Sequence, residues 1–443
     1  MARQPREKAQ PWQTVAVSAA PDPTGLPLVG VSLCVVGMSY APEPAGIALY
    51  TTGLAEMLVE HGARVEVVTG VPHYPAWRVE PTYRWRMRAD EHRHGVSVRR
   101  ARHFVPAHQS VLSRLAWEAS FFANGALVRL NDRPDGVIAV TPSLSGALVG
   151  ARAARAAEAP LAVLVQDLVG QAARQSGIAG GNRVASAAKA VEGRVLRRAD
   201  RVLLISDTFR RQVLEYGVSG DRVRLLPNWS HISPARAERA QVRREMGWND
   251  DVFVVLHTGN MGLKQGLQNV VEAARSLAGR RDVLLVLMGD GNRRAALQQA
   301  GRGVDVLRFL GPVHSERYPD VLAAADLLLV NELPTVGEMS LPSKLTSYFA
   351  SGQPVLAAVS ADGACARELE ASEGGVRVEP ADPEALARAI VALRHKPQER
   401  VVLGLAGARY AERTLSRNAA SAQVLRLAQD LLSSRSTSKP SGA

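Results

Sequence analysis

The sequence predicts an α/β protein built from two doubly wound domains that face a central cleft. Its 443 residues exceed what one ordinary core holds and suit two domains of the usual size. Short apolar runs rich in β-branched residues alternate with helix-period segments along most of the chain, which indicates strand–helix units. Because these runs are continuously apolar, we expect parallel sheets covered on both faces. Ligands of such sheets bind at the carboxyl ends of the strands, so two facing sheets enclose a cleft.

The first strand–helix–strand unit lies directly after the N-terminal segment. A strand at 31–36 ends at Gly37, and a helix beginning near Ile47 has Gly62 at the position of its C-terminal cap. A second strand is predicted at 65–68. Further strands, each followed by a helix, are predicted at 137–141, 161–166, 202–206, 252–257, 283–288, 326–330 and 354–359.

The domain boundary is placed near 226–229, where the first series of strands ends before a polar, arginine-rich stretch. Prolines near the N-terminus and serines near the C-terminus favour disordered ends. We therefore predict a disordered extension over 1–28, an N-terminal domain over 29–226, a C-terminal domain over 227–414, a helix over 415–432 that packs back toward the N-terminal domain, and a disordered tail over 433–443.

Composition restricts the class of protein. Apolar residues make up 46% and charged residues 22%, an ordinary globular mixture. Two cysteines, Cys34 and Cys365, cannot form a disulfide framework or a thiolate zinc site, which favours a reducing compartment. No apolar run reaches the roughly 18–20 residues that span a bilayer, so we expect a cytoplasmic protein. The formal charge of +12 points to an anionic partner, namely a nucleotide, a phosphorylated lipid, a membrane surface or a nucleic acid.

The turn after the first strand argues against a nicotinamide-dependent dehydrogenase. Such an enzyme has three closely spaced glycines in that turn and an acidic residue at the end of the second strand. Here the turn at 37–46 is longer and has one glycine, Gly46, at the entrance of the helix. The second strand ends at Thr69-Gly70 without a carboxylate. A P-loop motif is also absent from the sequence, which disfavours a P-loop kinase or ATPase.

Two glycine-containing turns follow strands in the second half. The segment 256–266 includes Gly259 and Lys264, and the segment 288–294 includes Gly289 and Gly291. Glycines allow close approach of a ligand, and a helix N-terminus offers free N–H groups to an anion. Plain strand–helix turns without a ligand explain the same residues.

The segment 338–345 is the most specific of the three loops. Ser343 suits an N-cap and Pro342 suits a first helical position, so either residue starts a helix with Lys344 in its first turn. A lysine there opposes the helix dipole unless an anion is bound. The sequence thus predicts an anion site, while a solvated Lys344 is the alternative.

A set of short segments, in order along the chain, carries a recognisable pattern. The segments are 41–47, 50–51, 69–77, 227–229, 258–260, 265–267 and 341–344. They resemble family 4 glycosyltransferases, in the group associated with colanic-acid and related exopolysaccharide synthesis. The resemblance implies the GT-B fold of two Rossmann-like domains, with the acceptor bound mainly by the N-terminal half and the sugar nucleotide by the C-terminal half. It also implies a retaining transfer that uses neither a catalytic metal nor another cofactor.

The resemblance also implies roles for individual residues. Glu338 corresponds to a glutamate that contacts the donor sugar, and Val313 lies in the turn that holds the base. Asp167 falls near a polar residue of the acceptor side, although a helix or turn cap explains it equally. The family's second glutamate, a ribose ligand, is replaced by Ser347, or by Thr346 in an ungapped alignment. The predicted catalytic residues are Glu338, Lys344 and Asp167. The predicted donor-binding residues are Gly46, Gly259, Asn260, Lys264, Gln265, Gly289, Gly291, Val313, Leu341, Pro342 and Ser343.

The chemistry expected of such a site is transfer of a sugar from a nucleoside diphosphate. The leaving diphosphate gains negative charge as its bond to the anomeric carbon breaks, so N–H groups and the ammonium groups of Lys264 and Lys344 stabilise the transition state. We expect a UDP- or GDP-linked hexosyl or N-acetylhexosaminyl donor. The expected acceptor is a glycan, a lipid-linked molecule or a small molecule, in exopolysaccharide or cell-envelope glycan synthesis.

The segment 71–103 is basic and rich in aromatic residues. It contains eight arginines against three carboxylates, together with Tyr74, Trp77, Tyr83 and Trp85. Such a surface suits phospholipid headgroups or a polyprenyl-diphosphate acceptor, and we hypothesise that it holds the protein on the inner face of the membrane. Single-stranded nucleic acid and an ordinary solvated loop fit the same composition.

Two other functions are compatible with parts of the sequence. A sugar-nucleotide 2-epimerase has the same architecture but needs acid–base carboxylates and histidines in the cleft, of which only Glu338 and Asp167 are evident. A nucleic-acid-binding protein would explain the charge of +12 but not the loops at the strand ends, and the sequence has no helix-turn-helix, zinc or RNA-binding signature.

Overall fold

Two sheets, each dominated by parallel strands, organise the chain. The computed structural model describes residues 26–44, 46–74, 76–108, 110–168, 181–336 and 343–437. None of the helices in these ranges is both long and apolar enough to cross a bilayer.

The first sheet has eight strands in the order β3-β4-β2-β1-β5-β6-β7-β8, parallel throughout except for the β3–β4 pair. The strands are β1 Ser32–Val36, β2 Arg64–Gly70, β3 Arg88–Arg93, β4 Val96–Ala101, β5 Gly136–Thr141, β6 Leu161–Val165, β7 Arg201–Leu204 and β8 Val223–Leu225. The helices are α1 Ile47–Glu60, α2 Val111–Gly125, α3 Leu144–Ala157, α4 Gly181–Arg198 and α5 Arg210–Glu215. The strand order changes direction at β1, which places the loops after β1 and β5 where ligands of doubly wound sheets bind.

The second sheet has six parallel strands in the order β11-β10-β9-β12-β13-β14. The strands are β9 Phe253–Asn260, β10 Val283–Asp290, β11 Leu307–Leu310, β12 Leu327–Asn331, β13 Val355–Ala358 and β14 Gly375–Val378. The helices are α6 Arg239–Met246, α7 Gln268–Ser276, α8 Arg294–Ala300, α9 Tyr318–Ala324, α10 Ser343–Ala350, α11 Ala364–Ser372, α12 Pro383–Arg394, α13 Pro397–Tyr410 and α14 Arg417–Thr437. The order changes direction between β9 and β12, so the loops after these two strands meet.

The central strands are apolar because both of their faces are covered. All five residues of β1 are buried, and neighbouring side chains from β2 and β5 join them in one core. Burial of each large aliphatic side chain contributes about 1.5–3 kcal/mol. The edge hairpin β3–β4 differs, since its outer strand carries exposed charged residues that protect the sheet edge.

The C-terminal helix α14 belongs to the core of the first sheet. Ala420, Val424, Ala428 and Leu431 are buried in that core at helical spacing. On the polar side, the Arg201 guanidinium holds the Asp430 carboxylate with both oxygens at 2.7 Å. The helix therefore returns to the domain in which the chain began.

Three predicted boundaries differ from the structure. Leu28 is 1% exposed and its backbone N–H donates to the carbonyl oxygen of His61 at 2.9 Å, so residue 28 is packed and does not belong to a disordered extension. The C-terminal domain was predicted to begin at residue 227, but Trp229 lies in the core of the first domain. Its ring makes an edge-to-face contact with Tyr50, because burial stabilises an apolar ring there. Helix α14 continues to Thr437, so the predicted tail at 433 begins too early.

Candidate functional site

The glycine turns of the second sheet lie side by side. Strands β9 and β10 pair as far as Gly259 with Gly289 and Asn260 with Asp290. A Cβ atom on Gly289 would lie 1.9 Å from the carbonyl oxygen of Gly259, and one on Gly291 would lie 2.6 Å from Oδ1 of Asn260. Both glycines also have positive φ angles, so the close approach of the two turns requires glycine.

The loop 262–266 is held rigidly at this edge. Oε1 of Gln265 accepts a hydrogen bond from the backbone N–H of Gly262 at 3.1 Å, so this predicted donor-binding side chain caps the turn. Nδ2 of the buried Asn331 donates to the carbonyl oxygens of Gln265 and Gly266 at 2.8 and 3.0 Å. The side chain of Lys264 stays exposed on this fixed loop.

Lys344 lies in the first turn of α10 and is oriented by a buried histidine. Its Nζ lies 3.4 Å from Nε2 of His257, whose Nδ1 lies 3.0 Å from the carbonyl oxygen of Leu329. The carbonyl can only accept, so Nδ1 carries the proton and Nε2 accepts from the ammonium group. Burial and the charge of Lys344 hold the pKa of His257 well below its usual value, which keeps this ring neutral. Burial also lowers the pKa of Lys344 to about 8.

Glu332 is a functional candidate that sequence reasoning missed. It directly follows β12, and burial raises the pKa of its carboxyl group to about 7, while the charges of Lys344 and Lys264 act in the opposite direction. A carboxylate immediately after a buried strand was the available signal. We call Lys264, Lys344 and Glu332 together the two-lysine site.

A tyrosine network supports the strand end next to this site. The hydroxyl of Tyr348 accepts from the backbone N–H of Thr258 at 2.9 Å, and Oγ1 of Thr258 lies 2.9 Å from the hydroxyl of Tyr318. Ser347 also hydrogen-bonds Tyr318. Ser347 is one of the two residues aligned with the expected ribose ligand, and its side chain is thus bonded within the protein.

The other predicted donor-side residues are distributed around this edge. Val313 follows β11 and is partly buried against the second core. Glu338, Leu341 and Pro342 lie outside the described residues, and Ser343 forms the first residue of α10. In the described part of the chain, no three His, Cys, Asp or Glu side chains come together in a way that could hold a metal ion.

Two predicted residues of the first domain lie at its own strand-end edge. Gly46 precedes α1 with a φ of 67° and is exposed. Asp167 follows β6, where its Oδ1 accepts from the backbone N–H of Leu168 at 2.8 Å, as a turn cap does. Burial raises the pKa of Asp167, and Lys264 of the second domain opposes this shift. The two domains therefore bring an acidic group and a lysine of the two-lysine site within electrostatic range.

Comparisons with known proteins identify the family. A profile described as "Glycosyl transferase 4-like domain" matches residues 45–229, and one described as "Glycosyl transferases group 1" matches residues 252–396. The putative colanic acid biosynthesis glycosyl transferase WcaI of Escherichia coli K12 is 31% identical over 403 residues, covering 87% of this chain and 97% of the relative. This chain belongs to the family 4 glycosyltransferases.

Solved structures show the same fold at lower sequence identity. Sucrose-phosphate synthase from Thermosynechococcus elongatus is 20% identical with a TM-score of 0.69, and covers 91% of this chain and 100% of its own. Anabaena Alr3699/HepE in complex with UDP-glucose is 17% identical with a TM-score of 0.63, and covers 90% of this chain and 99% of its own. The glycosyltransferase thus has the GT-B fold that the sequence predicted.

A buried carboxylate–histidine pair in the first domain of the glycosyltransferase was also missed. Oε1 of Glu43 accepts from the backbone N–H groups of His73 and Tyr74 at 2.9 and 3.0 Å and lies 3.1 Å from Nδ1 of His73. These hydrogen bonds lower the pKa of Glu43 although burial acts to raise it. Oε2 of Glu43 is buried without a partner among the described residues. The pair joins the loops after β1 and β2, a contact that neither local pattern reveals.

The basic segment 71–103 of the glycosyltransferase is only partly surface. Arg100 is 1% exposed, binds Glu91 with two hydrogen bonds at 2.8 and 3.0 Å, and lies over the ring of Tyr83. Arg99 is paired with Glu66 at 2.7 Å. These arginines stabilise the β3–β4 hairpin, so the free basic surface is smaller than the sequence count suggested.

A wide cavity lies beside the exposed arginines. It encloses about 700 Å³ and is lined by Trp77, Arg78, Arg84, Arg102, His103 and Phe104, among others. Next to it, Trp85 is 87% exposed, and α2 presents Leu112, Leu115 and Phe122 on one exposed face. The first domain therefore combines cationic and apolar groups on one surface.

Proposed function

We propose that this glycosyltransferase moves a hexosyl or N-acetylhexosaminyl group from a UDP- or GDP-linked donor to a glycan, lipid-linked or small-molecule acceptor, with retention of configuration. The observation that carries the proposal is the two-lysine site. Lys344 lies in the first turn of α10, where His257 of β9 orients it. Lys264 projects from the loop 262–266 at the same edge of the sheet. Such an arrangement suits an anion that carries more than one negative charge.

The proposed mechanism uses the chain's own cations at the leaving group. As the bond to the anomeric carbon breaks, charge accumulates on the diphosphate, and the two ammonium groups stabilise it more strongly than the ground state. Glu338 orients the donor sugar in this proposal, and Asp167 lies on the acceptor side. No metal or separate cofactor is required, because lysines and backbone N–H groups supply the positive potential.

The names of the relatives support the donor class and the process. Alr3699/HepE was solved in complex with UDP-glucose, and WcaI is named for colanic acid biosynthesis. We place the present enzyme by analogy in exopolysaccharide or cell-envelope glycan synthesis, at the cytoplasmic side of the membrane.

A thermal-shift screen against a panel of sugar nucleotides tests the donor proposal, since a ligand that binds the native state raises the apparent stability. We expect one UDP- or GDP-linked sugar to raise the melting temperature most. With that donor and a cell-envelope glycolipid extract, NMR of the product should show the same anomeric configuration as the donor. Conversion of the donor to its C2 epimer without an acceptor would instead identify an epimerase. A product with the opposite anomeric configuration to the donor would refute a retaining transfer.

We further propose peripheral contact with an anionic membrane through the first domain. The exposed apolar face of α2 and the exposed side chain of Trp85 lie close to exposed arginines, a combination that suits the boundary between headgroups and acyl chains. This contact would bring a polyprenyl-diphosphate-linked acceptor to the 700 Å³ cavity.

Flotation with vesicles tests the membrane proposal. The wild-type enzyme should float with vesicles that contain anionic lipid and less with zwitterionic ones, and the double variant Trp85→Ser/Leu112→Ser should lose flotation. The matched control is Val401→Ser/Leu405→Ser, which changes two exposed apolar residues of α13 in the second domain. Equal flotation of both variants would refute the proposed surface.

A further inference from the structure

Two cavities of the first domain adjoin each other. The smaller one encloses about 310 Å³ beside the loops that follow β1 and β2, and Glu43, His73 and Tyr74 are among its lining residues. The larger one is the cavity of about 700 Å³ beside the exposed arginines. Arg78 and Val79 line both of them, so the two cavities meet along the segment that follows β2.

The smaller cavity lies at the edge of the sheet where a ligand is expected. The strand order changes direction at β1, and the loop after β1 carries Glu43. The ring of Tyr74 lies 3.5 Å from the position that a Cβ atom on Gly46 would take, so the wall of this cavity reaches the entrance of α1. Because Gly46 is a predicted donor-binding residue, a molecule in the smaller cavity would lie next to the expected donor.

Glu43 has an unsatisfied acceptor at this cavity. Its side chain is 2% exposed, and its Oε1 already accepts from the backbone N–H groups of His73 and Tyr74. Its Oε2 has no partner in the described part of the chain. A carboxylate oxygen can only accept, so the group that satisfies Oε2 must donate an O–H or an N–H. Since this position is poorly solvated, a hydrogen bond formed there is strong.

Two further polar groups without partners lie around His73. The rings of His103 and Trp117 contact the His73 ring edge to face, with centroids at 4.9 and 6.0 Å. Nδ1 of His103 lies 3.5 Å from the carbonyl oxygen of Ala101, and burial lowers the pKa of His103 to about 3, so the neutral ring donates at Nδ1 and accepts at Nε2. This Nε2 and the donor Nε1 of Trp117 are both buried without a partner among the described residues. Unpartnered acceptors beside an unpartnered donor suit hydroxyl groups, which do both.

The larger cavity supplies positive charge. Arg78, Arg84 and Arg102 line it, and no carboxylate of the described ranges does. None of these arginines forms an ion pair with an acidic side chain that the structure describes. Nη1 of Arg102 donates to the carbonyl oxygen of Tyr83 at 3.1 Å, which orients the guanidinium group without neutralising it. Guanidinium groups bind phosphate through paired N–H donors, so this cavity suits a phosphate or a diphosphate.

We propose that the two cavities together form the acceptor site and bind a sugar that carries a phosphate or diphosphate at its anomeric carbon. Sugar hydroxyls occupy the smaller cavity, where one of them donates to Oε2 of Glu43. The phosphate binds to Arg78, Arg84 and Arg102 in the larger cavity. A cationic amine would also donate to Glu43, but the neighbouring arginines repel it. The inference rests on the proposed function, because the bound glycosyl phosphate is the acceptor of the transfer.

Titration followed by ligand-observed NMR tests this site without a donor. The probes are the 1-phosphates of glucose, galactose, mannose, fucose and N-acetylglucosamine, together with the matching methyl glycosides and inorganic phosphate. We expect one sugar phosphate to bind at least about tenfold more tightly than its methyl glycoside or inorganic phosphate, since each of these lacks half of the contacts. Saturating UDP should not displace it. Absence of binding by every sugar phosphate, or displacement by UDP, would overturn the inference.

Monodeoxy analogues of the bound sugar phosphate isolate the role of Glu43. One analogue should bind the wild type about tenfold more weakly, because it lacks the hydroxyl that donates to Oε2. Glu43→Gln should bind the parent about tenfold more weakly and should not distinguish the parent from that analogue. If Glu43 only holds the loops together, the variant will bind parent and analogue more weakly by the same factor, and this result would overturn the assignment. The matched control is Glu368→Gln, which changes a partly buried carboxylate of the second domain that accepts from Tyr410 and should bind like the wild type.

The double variant Arg78→Gln/Arg84→Gln tests the phosphate contacts. It should bind the sugar phosphate at least about tenfold more weakly, whereas Arg302→Gln, which changes an exposed arginine of the second domain, should bind it like the wild type. Unchanged affinity in the double variant would overturn the inference.

The same sugar linked to farnesyl diphosphate distinguishes the source of the acceptor. Tighter binding than that of the free sugar phosphate identifies a lipid-linked acceptor, equal binding identifies a soluble one, and both agree with the inference. Failure of the sugar-phosphate tests would leave the proposed donor intact. Absence of a melting-temperature shift with every sugar nucleotide would instead overturn the proposed function.

Discussion

Replacing Lys344 with methionine removes the ammonium group from the two-lysine site and leaves the length of the side chain nearly unchanged. The structure places this ammonium 3.4 Å from Nε2 of His257, so the lysine is held in one orientation before the donor arrives. Loss of one preorganised donor to a developing oxyanion lowers turnover by roughly 10²–10³, or about 3–4 kcal/mol of transition-state stabilisation. We expect that loss in kcat/KM for the sugar nucleotide, measured by release of nucleoside diphosphate.

The same substitution should not destabilise the fold. Burial lowers the pKa of Lys344 from its usual 10.5 to about 8, so the folded protein loses this proton at lower pH than the unfolded chain. The burial penalty on the ammonium is therefore present at pH 7 and is relieved as the pH rises through 8, and it amounts to about 3 kcal/mol at most. The lost contact with His257 offsets part of that gain, and Lys344→Met should melt at the wild-type temperature or above it.

The matched control is Lys396→Met, an exposed lysine whose ion pair with Glu399 at 2.8 Å contributes little. This variant should keep both the activity and the melting temperature of the wild type. Full activity in Lys344→Met would refute the assignment of this lysine to the diphosphate. A fall in the melting temperature of Lys344→Met, accompanied by loss of activity, would refute the claim that burial of this ammonium group destabilises the fold at pH 7.

Three further substitutions test other parts of the structure. Gly289→Ala should lower the free energy of unfolding in urea by about 3 kcal/mol, because its Cβ would lie 1.9 Å from a carbonyl oxygen, whereas Gly311→Ala, with no atom within 4 Å, should change it little. His257→Leu should weaken donor binding in calorimetry and lower stability by about 1–2 kcal/mol, since Lys344 loses its acceptor, and an unchanged Kd would contradict this role. Two backbone N–H groups, at 2.7 and 3.1 Å, hold the pKa of Asp320 below its usual value. Asp320→Asn should therefore lower the free energy of unfolding by about 1–2 kcal/mol at pH 7. The difference from the wild type should become smaller as the pH falls below about 4, and a larger difference there would contradict this role.

The fold could be predicted because its signals are local. Continuously apolar runs such as 31–36 and 283–288 indicate parallel strands buried on both faces, and β1 and β10 lie there. The β3–β4 hairpin escaped prediction because charged residues of an edge strand break the apolar pattern. Strand β9 continues through Gly259, where the sequence indicated a turn, because pairing with β10 outweighs the low strand preference of glycine.

Residues of the candidate site could be predicted only where a single short segment of sequence contains the pattern that points to them. Lys344 stood out because a lysine in a first helical turn is locally unfavourable, and Gly289 because it follows a strand. His257 did not, since its importance comes from Lys344, which is 87 residues away in sequence and reaches His257 only in the folded domain. Glu332 did carry a local signal, a carboxylate directly after a buried strand, but that signal alone does not distinguish it from an ordinary loop residue. The pair of Glu43 and His73 likewise depends on two loops that meet at one sheet edge.

The return of α14 to the first sheet also determines when each domain can be completed during synthesis. The backbone N–H of Ser230 donates to the carbonyl oxygen of Leu415 at 2.7 Å, so the outgoing and returning chains cross side by side. The second core is built from one continuous stretch, whereas the first lacks Ala420, Val424, Ala428 and Leu431 until the last helix leaves the ribosome. The domain that is translated first is therefore finished last, and a nascent chain that stalls before α14 exposes the core of its N-terminal half.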